Sequence, residues 1–180
     1  MSEAQIRDYA AGKNFHPQTV ERWLAWSKQD REGLFRLAYA LKVSENHLRD
    51  LLDWLEEISL RDRLGIGDIL SGHDIVYIQT DPRLGRADKL KRIKEQIRRL
   101  RFPRLAETED ALRTRIQALK LHPEIKLSVP AGLEGGKLHV EFDASSPDGL
   151  RRLAAKLVEA ADGQLVREIF ALLSGETAED

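Results

Sequence analysis

Apolar residues recur at steps of three and four through most of this chain, a spacing that places them on one face of an α-helix. This spacing covers residues 3–72, 86–101 and about 106–121, and it returns between residues 147 and 174. Strict alternation of apolar and polar residues, which is typical of strands, occurs in only two short runs. The pattern therefore predicts an α+β fold that is mostly α-helical.

The first module, residues 1–80, is predicted to be a helical bundle. Pro17 suits the first turn of one helix, and Gln29 or Asp30 is expected to begin the next. Ser44 is a good N-cap for a third helix over residues 45–58. The apolar positions of these helices are Val20, Trp23, Leu24, Trp26, Leu34, Leu37, Ala38, Leu41, Leu48, Leu51, Leu52 and Leu55.

A stretch inside this bundle resembles a helix-turn-helix. It carries Ala38, then Lys42, Val43 and Ser44, then Leu48. In that family the Ala and Val pack where the two helices meet, and the Leu anchors the second helix. The family usually carries Gly in a left-handed conformation where this chain has Lys42, and keeping that conformation costs a Lys roughly 1 kcal/mol. A turn with a different backbone conformation is therefore an alternative at this point.

The helix after this turn has an acidic surface. Asn46, His47 and Arg49 at its beginning are candidate contacts to nucleic acid, but phosphates repel carboxylates. The carboxylates on this helix are Glu45, Asp50, Asp53, Glu56 and Glu57. The charge favours a structural helical hairpin over a helix that reads bases, with both interpretations open.

Residues 59–81 give a weaker pattern. Ile66, Ile69 and Leu70 predict a short helix. The apolar run at residues 75–78 fits either a strand or a packed connector. Asp81 before Pro82 indicates a break, because the residue preceding a proline is disfavoured in helical conformation. A boundary between modules is expected here.

The next segment, Arg83 to Arg104, concentrates positive charge. Ten of its twenty-two residues are Lys or Arg, whereas the whole chain has a net charge of -1. Charge segregated in this way indicates a polyanionic partner, and nucleic acid is the first candidate. The alternative is that acidic residues elsewhere in the protein neutralise the segment. The candidate phosphate contacts are Arg86, Lys89, Lys91, Arg92, Lys94, Arg98, Arg99, Arg101 and Arg104.

Residues 81–105, which include this segment, are predicted to form a long basic helix with its connectors. The apolar residues Leu90, Ile93, Ile97 and Leu100 step by three, four and three. That narrow seam is typical of a coiled coil or a long helical hairpin. The helix is therefore expected to pack along one other helix, in this chain or in a second copy.

Residues 106–175 predict an α-β-β-α-α module. A helix is expected from about Ala106 to Leu121, and Ser146 with Pro147 begins a later one. Two alternating runs between these helices predict a β-hairpin with one buried face. The runs are Ile125, Leu127 and Val129, then Leu138, Val140 and Phe142. A last helix is expected to end before Gly175, with a frayed tail over residues 176–180.

The run Gly135-Gly136-Lys137-Leu138-His139-Val140-Glu141-Phe142, followed by an Asp/Ser linker and then Leu150 and Leu153, resembles the C-terminal dimerisation module of ParB-type chromosome-partition proteins. The resemblance covers about fifty residues. It implies that the hairpin pairs with its twin in a second chain, that the following helices form a zipper-like contact, and that basic residues of the dimer bind DNA without reading sequence. Nothing in the chain matches the N-terminal nucleotide-binding region of that family.

Self-association is also expected on physical grounds, because a two-stranded sheet is too small to be stable alone. A homodimer supplies a partner strand or covering helices. The candidate interface residues are Leu138, Val140, Phe142, Leu150, Leu153 and Leu157.

Several functional classes have no sequence support. The chain has no Cys, and its five His residues have no pair at helical spacing, so no metal or cofactor site is predicted. No combination of residues typical of catalysis occurs, and neither a membrane span nor a secretory signal is expected. The sequence predicts a cytoplasmic, non-enzymatic homodimer that holds the phosphate backbone of nucleic acid, with DNA as the first candidate. The alternative is an adaptor whose basic helix docks on an acidic protein surface.

Overall fold

The computed structural model describes residues 3–175, and the expected frayed tail at 176–180 lies outside these residues. Within the described part the chain forms ten α-helices and one two-stranded antiparallel sheet, so the fold is α+β and mostly α-helical. The helices are α1 (Glu3–Ala11), α2 (Pro17–Leu24), α3 (Lys28–Leu41), α4 (Glu45–Asp62), α5 (Ile66–Leu70), α6 (His73–Thr80), α7 (Arg86–Arg101), α8 (Pro103–Ala118), α9 (Pro147–Asp162) and α10 (Gln164–Ser174). The strands are β1 (Lys126–Ser128) and β2 (His139–Glu141).

The chain divides into two compact units, with the boundary between Phe102 and Pro103. The first unit contains α1 to α7, and its core is continuous from Ile6 on α1 to Ile97 on α7. The helix α4 contributes four Leu residues that are fully buried in that core. These residues are Leu48, Leu51, Leu52 and Leu55.

The basic helix α7 is part of the first unit rather than a separate connector. Its residues Leu90, Ile93 and Ile97 are buried in the same core as α3 and α4. The expected seam ends at Ile97, because Leu100 is 45% exposed. These residues pack against several helices of one bundle, whereas the sequence predicted the seam of a coiled coil or of a long helical hairpin.

The turn between α3 and α4 keeps the left-handed conformation. Lys42 has φ 53° and ψ 46°. The different turn that a Lys at this position left open therefore does not occur. Ala38 and Val43 are fully buried at this turn. The hydroxyl of Tyr9 on α1 lies 2.9 Å from the carbonyl oxygen of Ala38 and 3.0 Å from that of Val43. Lys13 donates to the carbonyl of Lys42 at 2.8 Å. Helix α1 therefore holds the turn in place.

Three expectations about local structure were wrong. Helix α3 begins at Lys28, because Ser27 is its N-cap and accepts a hydrogen bond from the amide of Asp30. Residues 75–78 belong to helix α6, with Ile75 and Ile78 buried at a helical step of three. Helix α8 begins at Pro103, where the missing N–H of proline is tolerated in a first turn.

The second unit contains a short hairpin between α8 and α9. Strands β1 and β2 pair with Leu127 opposite Val140. Ser146 caps α9 as expected, since its hydroxyl accepts a hydrogen bond from the amide of Gly149 at 3.0 Å. Two small clusters of apolar residues hold the unit together, one around Leu112, Ile169 and Leu173 and the other around Leu121, Ile125 and Leu153.

Candidate nucleic-acid interface

Helices α4 and α7 lie side by side and run in the same direction. Lys94 on α7 pairs with Asp50 on α4 at 2.6 Å. Seven residues further along both helices, Arg101 pairs with Glu57 at 2.6 Å. Because both pairs join residues with the same offset, the helices stay in register over two turns. The acidic side of α4 therefore faces the basic side of α7 within the first unit.

Arg61 joins the ends of the same two helices. Its guanidinium donates to the carbonyl oxygens of Leu100 at 2.7 Å and of Arg101 at 2.6 Å. These carbonyls belong to the last turn of α7, where helices have unsatisfied acceptors. Arg61 also pairs with Asp62 at 2.7 Å, and this hydrogen bond lowers the pKa of the Asp62 carboxyl. The end of α7 is thus fixed to α4.

Helix α2 neutralises the other acidic side of α4. Arg22 pairs with Asp53 at 2.5 Å and with Glu56 at 2.6 Å. The hydrogen bond with Glu56 is the largest cause of a raised pKa for the Arg22 guanidinium. The indole N–H of Trp26 donates to Glu56 at 2.7 Å. Each of these two carboxylates therefore has a cationic partner from a neighbouring helix.

Glu45, the first residue of α4, is held by hydrogen bonds. It accepts from the hydroxyl of Thr19 at 2.8 Å and from the backbone amide of His16 at 2.9 Å. The bond from Thr19, followed by that from His16, lowers the pKa of the Glu45 carboxyl. With Asp50, Asp53, Glu56 and Glu57 also engaged, every carboxylate of α4 that would repel a phosphate has a donor from within the first unit.

Contacts within the chain also engage many of the cations that the sequence predicted to bind a phosphate. Arg83 pairs with Asp81, Arg98 pairs with Glu95, and Lys89 donates to the carbonyl of Gln79. Arg99 is half-buried and interacts within the chain. Together with Lys94 and Arg101, these residues do not form the open basic track that their charge predicts. The pairs of Lys94 and Arg101 are tertiary contacts with α4, whereas those of Arg83 and Arg98 are local.

Three basic residues of α7 differ from the rest. Arg86, Lys91 and Arg92 are exposed and form neither an ion pair nor a hydrogen bond with any residue in the range 3–175. Arg104 lies on α8 of the second unit, where it is also exposed. The cations on α7 that can meet an external anion are therefore in its first half.

The first turn of α4 keeps two exposed polar side chains. Asn46 and Arg49 make no side-chain hydrogen bond to a described residue. His47 is exposed too, and its Nδ1 lies 3.2 Å from the ammonium of Lys94. Arg49 lines a cavity of about 360 Å³ together with His16 and Glu45. This tip of α4 is the part of the helix that neither α2 nor α7 covers with ion pairs.

The residues expected at a dimer interface separate into three groups by their exposure. Leu153 is buried in its own unit. Leu138, Phe142 and Leu157 are half-buried against the two clusters of the second unit. Val140 and Leu150 are 42% and 49% exposed. Only these last two have side chains largely accessible to a second copy.

Residues 3–175 contain no group of three His, Asp or Glu side chains that could hold a metal ion. Within the same range, no helix is both long and apolar enough to cross a bilayer. Comparisons of the chain with protein-family models, curated proteins and solved structures found no match.

Sequence reasoning missed the residues that organise this surface. Tyr9, Arg22 and Arg61 belong to no motif, and nothing in their local sequence distinguishes them from ordinary surface residues. Their long-range contacts join residues 29 to 40 positions apart along the chain, as with Arg61 and Arg101. Only the acidic composition of α4 and the basic composition of α7 were visible signals that the two helices attract each other.

Proposed function

We propose that the protein is a non-enzymatic, homodimeric, nucleic-acid-associated protein that contacts phosphates with little base reading, and that DNA is its partner. The observation that carries the proposal is the distribution of paired and unpaired charge on the first unit. The carboxylates of α4 are engaged within the unit, while Arg49, Arg86, Lys91 and Arg92 remain exposed and unpaired in the described range. Exposed cations that form no ion pair are the side chains that phosphates recruit, although Arg49 and Arg92 also act electrostatically on Glu45 and Asp81.

The helix-turn-helix likeness of α3 and α4 supports contact at the tip of α4. The left-handed turn at Lys42 and the fully buried Ala38, Val43 and Leu48 agree with that likeness. Ion pairs with α2 and α7 flank α4 on both sides, which favours contact by its first turn over deep insertion of the helix into a groove. Asn46 and Arg49 are the residues proposed to make that contact.

The second unit is proposed to form the homodimer. Val140 on the hairpin and Leu150 on α9 expose apolar side chains. The resemblance of this region to the ParB-type dimerisation module points in the same direction. A dimer presents two copies of the first unit to one duplex, which increases the number of phosphate contacts and the salt dependence of binding.

The experiment is a fluorescence-anisotropy titration of labelled duplexes of two unrelated sequences, with single-stranded DNA and RNA of the same length beside them. We expect micromolar binding to both duplexes at low salt, with similar affinity for the two sequences. The logarithm of the binding constant should fall linearly with the logarithm of the salt concentration. Absence of binding to any duplex at low salt refutes the proposal, and a strong preference for one sequence refutes the lack of base reading.

A protein-binding adaptor is the second candidate. A cavity of about 680 Å³ beside α7 combines Ile78 with Lys91 and Arg92, and with the carboxylates of Asp88 and Glu95. Protein interfaces combine apolar and charged side chains in this way, with Arg enriched. The adaptor predicts a stoichiometric protein complex that survives nuclease treatment in a pull-down with the full chain. A complex lost on nuclease treatment supports nucleic acid instead.

A further inference from the structure

A recess between α4 and α7 has the shape and charge of a small-ligand site. We propose that it binds a phosphorylated ligand that carries a planar ring, of the nucleoside monophosphate class. The inference does not rest on nucleic-acid association, although the recess shares His47 and Lys91 with the surface proposed to contact phosphates. It assigns to the first unit a binding activity for a small molecule.

The recess has a volume of about 310 Å³ and lies entirely within the first unit. This volume is at the lower end of the usual range for small-ligand pockets, which is about 300–1,000 Å³. Its walls come from two helices that are held together by Lys94 with Asp50 and by Arg101 with Glu57. The site is therefore formed before any ligand arrives. The lining residues are His47, Trp54, Ala87, Leu90, Lys91, Lys94, Glu95 and Arg98.

The charge of this recess favours an anion. Lys91, Lys94 and Arg98 line it together with the carboxylate of Glu95. Arg98 pairs with Glu95 and Lys94 pairs with Asp50, so the positive charge without an ion pair is that of Lys91. Lys91 is exposed and forms no ion pair with residues 3–175, so its ammonium is available to a phosphate. Lys94 is held by Asp50 and therefore keeps its positive charge at a defined place. By contrast, the cavity lined by Trp26, Asp30, Glu56 and Arg63 has more carboxylates than cations.

The walls of the recess favour a ligand with a planar ring. Trp54 is half-buried there, and the Lys94 ammonium lies 5.1 Å from the centre of its indole ring. Leu90 supplies an apolar wall next to it. A flat ring can lie against an indole and an aliphatic side chain while its phosphate reaches a cation.

Trp54 also differs from the other two tryptophans in its hydrogen bonding. The indole N–H of Trp23 donates to the carbonyl of Arg31, and that of Trp26 donates to Glu56. The indole N–H of Trp54 donates to no residue within the described part of the chain. This N–H is not enclosed by the protein, so it is open to an acceptor that a ligand supplies.

The test uses the three indole N–H signals in a nitrogen–proton NMR spectrum of the full chain. Trp54→Phe identifies the Trp54 signal by its disappearance. Adenosine monophosphate is the probe, with adenosine and inorganic phosphate titrated separately. We expect the monophosphate to shift the Trp54 signal saturably and to bind at least about tenfold more tightly than either fragment, because only it engages both the cation and the ring.

Two variants make the test specific to this recess. Lys91→Gln removes the exposed cation and should lower the affinity for the monophosphate by about tenfold. Lys28→Gln on α3 removes the same charge from an exposed position outside the recess and should leave the affinity unchanged. Equal binding of adenosine and the monophosphate, equal binding of phosphate and the monophosphate, or an unchanged affinity in Lys91→Gln overturns the proposal. Loss of duplex binding without loss of the Trp54 shift would refute only the proposed function.

Discussion

The ammonium of Lys94 lies 2.6 Å from the carboxylate of Asp50, and the same relationship recurs seven residues later between Arg101 and Glu57. The two helices that carry the opposite charges of this protein therefore neutralise one another over two turns. Lys94 is 18% exposed, which places the first pair at the edge of the core. Charge that looks in the sequence like a site for an external anion serves in part as a contact between helices.

The pair of Lys94 and Asp50 should stabilise the first unit by about 0.5–1 kcal/mol, because it is only partly shielded from water. Asp50→Lys and Lys94→Asp should each lower the free energy of unfolding. The double variant, which restores opposite charges, should recover part of the loss. Urea denaturation of the four proteins at low and high salt measures the coupling energy. If the double variant at low salt loses the sum of the two single losses, the pair of Lys94 and Asp50 makes no energetic contribution.

Lys42→Gly should raise the free energy of unfolding by about 0.5–1 kcal/mol, because Gly adopts φ 53° without the steric cost that a Cβ imposes. Lys42→Ala is the matched control. It removes the same charged side chain but keeps the Cβ, so it should give no stabilisation. Chemical denaturation measures both variants. An equal gain in the two variants would show that the side chain, not the left-handed backbone, is responsible.

Tyr9→Phe should lower the free energy of unfolding by about 1 kcal/mol, because the hydroxyl that contacts the carbonyls of Ala38 and Val43 is removed. Burial raises the pKa of Tyr9 to about 12 from 10.0, so folding favours the neutral phenol. The contribution of the neutral Tyr9 phenol to the free energy of unfolding is therefore complete below pH about 10 and is lost as the pH rises to about 12.

The pH dependence distinguishes Tyr9 from the two exposed tyrosines. Denaturation at several alkaline pH values should show the stability gap between the natural protein and Tyr9→Phe closing as the pH rises. The near-ultraviolet absorbance of phenolate should lose the step near pH 12 in the variant. A constant gap across this range would mean that the hydroxyl contacts do not depend on the neutral form of Tyr9.

Removal of an unpaired cation should weaken duplex binding more than removal of a paired one. Arg49→Gln and Arg92→Gln should each lower the affinity for two unrelated duplexes equally and reduce the salt slope by about one, as expected for a lost phosphate contact. Arg101→Gln is the control, because its guanidinium is already paired with Glu57. Anisotropy titrations at several salt concentrations measure the slopes. Equal losses in all three variants would argue for a diffuse electrostatic attraction.

Val140→Asp and Leu150→Asp should convert the proposed dimer to a monomer without a large change in melting temperature, because both side chains are exposed in the second unit. Leu153→Ala should instead destabilise that unit by about 2–5 kcal/mol, since it deletes a buried side chain. Sedimentation equilibrium reports the mass, and calorimetry reports the stability. An unchanged mass in both Asp variants would mean that the dimer forms through another surface or that the protein does not dimerise.

Local signals in the sequence predicted much of the secondary structure. The apolar spacing and the caps located α2, α4, α7 and the hairpin, and Ser146 with Pro147 predicted the start of α9 correctly. Errors arose where two periodicities fit a short segment. Residues 75–78 are apolar at every position, so their helical packing against α7 could not be inferred from their spacing. Such segments take their conformation from the surface they pack against.

The amino-acid sequence by itself determined that this chain is mostly α-helical, that its charge is segregated and that α4 is acidic while α7 is basic. Only the tertiary structure decided that these two helices lie in register, which cations they leave unpaired, and that Trp54 and Lys91 share a recess. Helix periodicity and capping depend on neighbours within a few residues, so they can be read locally. The pairing of Asp50 with Lys94 joins residues 44 positions apart, and such pairing depends on how the whole core packs.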